Sequence, residues 1–200
     1  MNIEYLQGHK DLAGKIKKMK LETLEKGYYY HIYNRGINGC AIFSNDKNKI
    51  YFLDLIKHYL TSVVTVFAYC LMDNHFHLVV RINDESLVTQ RFSNFFNAYA
   101  KAYNKQQNRT GSLFEKHFKR VHLKDDMYLK NLIIYVHLNP LHHLNQDYLQ
   151  FRFSSYQTFL SDKETQLARG EVIEIFDNIE NFVYCHSSKQ EFLTEIYTLE

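Results

Sequence analysis

The sequence predicts an α+β fold, an antiparallel sheet with helices packed on it. Runs of β-branched and aromatic residues alternate with segments whose apolar residues recur at helical spacing, in the order β, α, β, β, α, β, α. Two of the runs are joined by so short a turn that an antiparallel hairpin is required. An apolar fraction of 46% over 200 residues, with one Pro, is enough to build a core and argues against global disorder.

Taken in order, residues 1–26 read as a lysine-rich helical segment, an extension to the main domain. Tyr28 to Tyr33 is dense in β-formers and ends at the turn Asn34-Arg35-Gly36. Asn45-Asp46 caps a helix running to about Leu60, with Ile50, Phe52, Leu53, Leu55, Ile56 and Leu60 at helical spacing. Val63 to Leu71 and His75 to Ile82 form the hairpin about Met72-Asp73-Asn74. Ser86 to about Asn104 reads as a helix. Gly111 breaks the chain, and Ser112 to Leu123 follows as a strand or extended edge. Asp125-Asp126 caps a helix from Met127 to about Leu138, which Pro140 helps to end. Phe151–Leu160, Glu171–Phe176 and Glu180–Leu193 read as short helices. The expected division is 1–27 as N-terminal extension, 28–145 as the main domain and 146–200 as a helical C-terminal extension.

The bulk chemistry excludes several classes. Cys40, Cys70 and Cys185 are odd in number and in no CxxC pattern, which points to reduced thiols and a cytoplasmic setting. The N-terminus has no apolar signal region and no apolar run is long enough to span a bilayer, so no membrane association is expected. The net charge of +2 hides an asymmetry: residues 28–140 carry 14 Lys+Arg against 8 Asp+Glu, and residues 141–200 carry 4 against 10. A basic middle suits a polyanion. The 16 Tyr and 15 Phe supply core, and also flat rings on which unpaired bases can stack.

Two short patterns carry chemistry. His75-Phe76-His77 lies in a strand, where residues i and i+2 share a face, so both imidazoles point one way with Phe76 behind them. Such a pair can bind one divalent ion and leave positions open for an amide or carboxylate, water and a phosphate oxygen. Equally, it can be two histidines decorating a strand near a turn. Tyr135 and Asn139 lie at i and i+4 of a helix and project side by side. A phenol beside a metal-bound phosphate is a plausible nucleophile; in the bland alternative Tyr135 is one more core tyrosine and Asn139 an ordinary helix-end residue.

Together the blocks resemble a known family. Leu71-Met72-Asp73-Asn74-His75-Phe76-His77 resembles the HUH signature (His-hydrophobic-His) of the insertion-sequence and REP-associated tyrosine transposases. His31-Ile32-Tyr33-Asn34-Arg35-Gly36 is similar to the family's first strand and turn, Gly111-Ser112-Leu113-Phe114 to its Gly-Ser-Leu-Phe segment, and Tyr135-X-X-X-Asn139-Pro140 to its tyrosine helix. Phe153-Ser154-Ser155-Tyr156 resembles the segment that often follows. The blocks stand in the family's order over roughly residues 28–160. Asp73 replaces a frequent Pro, and Asn139 stands where some relatives carry Gln.

The resemblance implies a ferredoxin-like antiparallel sheet flanked by helices, the HUH endonuclease fold. It implies Mg²⁺ or Mn²⁺ held by His75, His77 and Asn139, and Tyr135 as nucleophile in cutting single-stranded DNA near a hairpin through a 5′-phosphotyrosine. No nucleotide cofactor is needed. Arg35, Lys116, Lys119, Arg120 and Lys124, beside Phe114 and Phe118, are the candidate DNA-binding residues. The oligomer is open between monomer and homodimer, and the setting is the bacterial cytoplasm, at the nucleoid. Two rivals keep the same residues: a silent single-strand-binding protein, and a zinc hydrolase, for which Asp73 is the only carboxylate near the pair. His142 and His143 are read as surface residues.

Overall fold

The computed structural model describes residues 22–188, so the helix expected at the lysine-rich start and the end of the last helix lie outside the described residues. The strands are β1 (Tyr29–Arg35), β2 (Val64–Leu71), β3 (His75–Ile82) and β4 (Lys119–His122), and the helices are α1 (Asp46–Tyr59), α2 (Val88–Gln106), α3 (Asp126–Leu144), α4 (Tyr156–Phe159), α5 (Arg169–Ile175) and α6 (Ile179–Ser188). The sheet order is β2-β3-β1-β4, and each neighbouring pair is antiparallel. Because β1 and β2 both run against β3, they are parallel to each other with β3 between them, the split β-α-β of a ferredoxin-like fold.

The two faces of the sheet are covered differently. On one, α1 and α2 close a core in which Phe52, Phe76, Phe92, Phe95 and Tyr99 are fully or almost fully buried. On the other, α3 packs on β2 and β3, and Leu132, Ile133, Val136 and Leu138 meet Phe67, Val79 and the aromatic residues of the C-terminal helices. The C-terminal extension therefore shares the second core. It also covers the outer edge of β2: Leu71 N–H donates to Phe153 O (2.9 Å), Ser155 N–H to Tyr69 O (3.0 Å) and Ala168 N–H to Val66 O (3.0 Å). A sheet edge so covered offers no row of unpaired amides to another chain.

Both helix starts read from the sequence are present. The Asn45 side chain accepts from Asn48 N–H at the start of α1, and the Asp125 side chain from Tyr128 N–H at the start of α3. Pro140, in contrast, does not end its helix. α3 runs through it to Leu144 and stops at Asn145, which is left-handed (φ 51°) and donates to Leu141 O. An internal Pro costs a helix about 3 kcal/mol. Here the unbroken burial of Leu132 to Pro140 outweighs that cost. The extended stretch expected over Ser112–Leu123 narrows to the four residues of β4, preceded by one bridge between Gly36 and Phe114. Gly36 is needed for close approach: a Cβ there would collide with the carbonyl oxygen of Cys40. Its N–H donates to Asn74 O (2.8 Å), which fastens the end of β1 to the hairpin turn just before His75.

Candidate active site

Strand alternation places the site. Phe76 packs into the α1/α2 core against Phe52, their ring centroids 5.0 Å apart, so His75 and His77 face the other way, toward α3. There the i, i+4 spacing on α3 brings Tyr135 and Asn139 to them. The Tyr135 ring stands edge-on to that of His77 (centroids 5.7 Å), and His75 Nε2 lies 3.2 Å from Asn139 Oδ1. Residues 64 positions apart thus meet, which the family resemblance implies and local spacing alone does not. One turn beyond Asn139 on the same face, His143 sets its ring edge-on to His75 (5.6 Å), so it is a surface residue but one that borders the site.

The donor set suits a small divalent ion. The Nδ1 atom of His75 lies 2.7 Å from Asn74 Oδ1; donating a hydrogen there leaves the lone pair on Nε2. That lone pair faces the Asn139 amide oxygen, a second acceptor. Two acceptors at this distance are held together by a shared cation or, with the amide turned over, by a hydrogen bond. Their 3.2 Å separation is close to the roughly 3 Å between adjacent ligands on an ion with 2.0–2.1 Å bonds. Asn139 is fully buried, and its Nδ2 has no hydrogen-bond partner among the described residues. Among those residues no group of three or more His, Cys, Asp and Glu side chains is arranged to hold a metal, so an ion bound here would need the amide. Asp73, the carboxylate that a zinc hydrolase would need, is instead engaged by Lys49 Nζ at 2.8 Å.

Cross-strand register sorts the basic residues, because directly paired residues share a face. Arg35 pairs with His75, and Tyr33 pairs with both His77 and Lys119. Arg35 and Lys119 therefore flank the histidines on the site's own face, with Arg35 also ion-paired to Glu115. Arg120 pairs with Ile32 and lies on the opposite face, its guanidinium 4.2 Å above the Phe118 ring. Lys116 and Lys124 are exposed at either end of this segment. The rings expected to stack bases are otherwise employed. Phe114 is buried, and Phe118 packs on Phe92 and Phe96 of α2 at 5.2 and 5.1 Å.

Two buried histidine contacts are invisible in the sequence. His31 Nε2 is 2.9 Å from His77 Nδ1, across the β1–β3 pair. His137, on the side of α3 away from the sheet's histidines, bonds His186 Nε2 through Nδ1 and Ser155 Oγ through Nε2, both at 2.8 Å. Burial holds the imidazole of His137 well below its usual range, with the nearby His186 acting in the same sense, and pushes His186 down to about 4. Neither contact could be found by local periodicity, since the partners are 46 and 49 residues apart.

No protein-family model matches the chain, and no curated protein matches it in sequence. Among the described residues no helix is long and apolar enough to cross a membrane. Among solved structures, the chain is similar to a REP-associated tyrosine transposase bound to a REP hairpin, with a TM-score of 0.57 over 72% of this chain and 86% of that one, at 11% sequence identity. At that identity the likeness is one of fold: the four-stranded antiparallel sheet with flanking helices matches the fold of that transposase.

Proposed function

We propose that the chain is a metal-dependent single-stranded DNA endonuclease and strand transferase that acts beside DNA hairpins. One observation carries the reading: two histidines on a strand and a tyrosine and an asparagine on a distant helix converge on one spot, with Arg35 and Lys119 beside them. The similar fold of a transposase bound to a hairpin supports the choice of DNA partner.

His75, His77 and Asn139 would hold Mg²⁺ or Mn²⁺. Bound there, the ion supplies Lewis-acid polarisation of a non-bridging phosphate oxygen. Arg35 and Lys119 draw the strand across the sheet by its phosphates. The Tyr135 oxygen forms a bond to phosphorus as the bond to the 3′-oxygen breaks. The products are a 5′-phosphotyrosine and a free 3′-hydroxyl, which takes up the phenolic proton. Because the phosphodiester's energy is kept in the covalent link, a second 3′-hydroxyl can reverse the step without a nucleotide cofactor.

Tyr135 is only 3% exposed, so attack requires DNA binding to bring the phenol to the phosphate. The same burial favours a second reading, a hairpin-binding protein that does not cut. Incubating labelled single-stranded hairpins with the protein and Mn²⁺ separates the two. Cleavage that EDTA abolishes, and that His75→Ala and His77→Ala lower at least a hundredfold while still binding DNA, is expected of the nuclease. Binding without cleavage on every hairpin establishes the second reading.

A further inference from the structure

We propose that His31 is a positioning residue for the metal site, fixing the ring tautomer of His77 so that the ligating lone pair sits on Nε2. The inference rests on the reading of His77 as a metal ligand, and it adds a residue on another strand.

His31 is 6% exposed on β1, diagonal to His77 on β3: it pairs with Val79 while its neighbour Tyr33 pairs with His77. Its ring is near-parallel to those of Tyr33 (centroids 4.6 Å, 27°) and His77 (5.1 Å, 24°), which also face each other at 5.9 Å, so the three form a compact cluster. Edge to edge within this cluster, His31 Nε2 meets His77 Nδ1 at 2.9 Å. Two imidazole nitrogens at that distance share one hydrogen, and its position decides what the other side of His77 can do. If Nδ1–H of His77 donates to His31, the lone pair of His77 sits on Nε2 and can bind a cation. If instead His31 donates, neutral His77 carries its hydrogen on Nε2 and cannot ligate there.

The neighbouring ligand is arranged in the same way. His75 Nδ1 meets Asn74 Oδ1 at 2.7 Å, and its Nε2 is the atom aimed at Asn139. Both histidines of the pair are thus tied at Nδ1 by a specific acceptor, one from the adjacent turn and one from the neighbouring strand. Such acceptors orient a ligating imidazole and raise its basicity, and losing one typically costs ten- to a hundredfold in metal affinity. At His77 the acceptor is a neutral imidazole where a carboxylate would be commoner. In so buried a place it directs the ring without adding a charge that the interior would have to solvate.

The test uses the full chain and two substitutions. His31→Phe keeps a flat ring in the cluster and removes the acceptor. His31→Gln puts an amide oxygen about where Nε2 stands. Long-range ¹H–¹⁵N spectra of the apoprotein report the His77 tautomer, and calorimetry reports Mn²⁺ affinity. The expected result is an Nδ1–H tautomer in the wild type, a ten- to hundredfold weaker Mn²⁺ affinity in His31→Phe, and recovery of most of it in His31→Gln. A wild-type His77 protonated at Nε2, or a His31→Phe protein that binds Mn²⁺ as tightly as the wild type, overturns the assignment. A wild type that takes up no Mn²⁺ rejects the metal reading instead, while the tautomer still decides for or against His31. If His31→Phe does not fold, the wild-type tautomer alone decides.

Discussion

On the proposed reading, Asn139 is the residue on which the chemistry of the site turns. It is fully buried, it meets His75 through its oxygen, and it sits directly before a proline that the helix tolerates. A neutral amide is a weaker ligand than a carboxylate, so on that reading the ion would be held loosely until DNA adds a phosphate oxygen. Asn139→Asp is therefore expected to tighten Mn²⁺ binding, on the order of tenfold by calorimetry, because ligand charge sets affinity for hard cations. In EDTA the same protein should melt below the wild type, since a buried carboxylate then lacks its counter-charge, and it should gain more from added Mn²⁺. Equal melting responses of the two proteins to Mn²⁺ would contradict a ligand role for Asn139. His75 beside His77, and Tyr135 beside Asn139, were legible in the sequence because strand alternation and the helical turn are local rules. That the two pairs meet was implied by the family resemblance alone. His31 was not legible, since only the β1–β3 register sets it against His77.

At the scale of elements, α3 is gripped from both sides. Its inner face presents Tyr135 and Asn139 to the sheet, and His137 ties the helix to Ser155 and to α6 through His186. His186 is further fixed by Nδ1 donating to Phe182 O at 2.7 Å. Both rings are neutral in the folded protein, their affinity for protons lowered chiefly by burial. The unfolded chain takes up protons below the ordinary imidazole value of 6.5, and the folded chain resists until about 4. Stability from this pair is fully present above pH 6.5 and is lost as pH falls toward 4, so the melting temperature should drop across that window. His186→Ala should flatten the drop and cost about 2–4 kcal/mol, from a cavity and an unpaired nitrogen on His137. Chemical denaturation at pH 7 and pH 5 checks both.

The register of β4 makes a second prediction at this scale. Lys119→Ala should weaken hairpin binding and lower the slope of log K against log salt by about 0.7, the value for one single-strand phosphate contact. Arg120→Ala, on the opposite face and stacked on Phe118, should leave the slope unchanged. Adjacent residues of one basic run have opposite fates, a distinction that composition could not make. The run itself was visible; the face each residue takes depends on pairing with Tyr33 or Ile32.

For the whole molecule, the boundary drawn at residue 145 separates segments that share one core. Tyr148, Tyr156, Phe159, Val172, Phe176 and Phe182 bury themselves against α3 and the sheet, and residues 153–155 run along the edge of β2. A chain ending at 145 would uncover the outer edge of β2 and the side of α3 that carries His137, and is expected to be insoluble or to lack a cooperative melt by circular dichroism. The helical content of the tail was readable from its periodicity. Its role was not, because a short amphipathic helix does not announce which surface it covers. The most direct test of the whole account is intact-mass spectrometry of the protein after incubation with a hairpin oligonucleotide and Mn²⁺. It predicts a species heavier by the 3′-side DNA fragment, resistant to denaturation, mapped by peptide sequencing to Tyr135 and missing in Tyr135→Phe. An adduct that survives Tyr135→Phe, or cleavage that proceeds with no protein-bound DNA at any time, would contradict it.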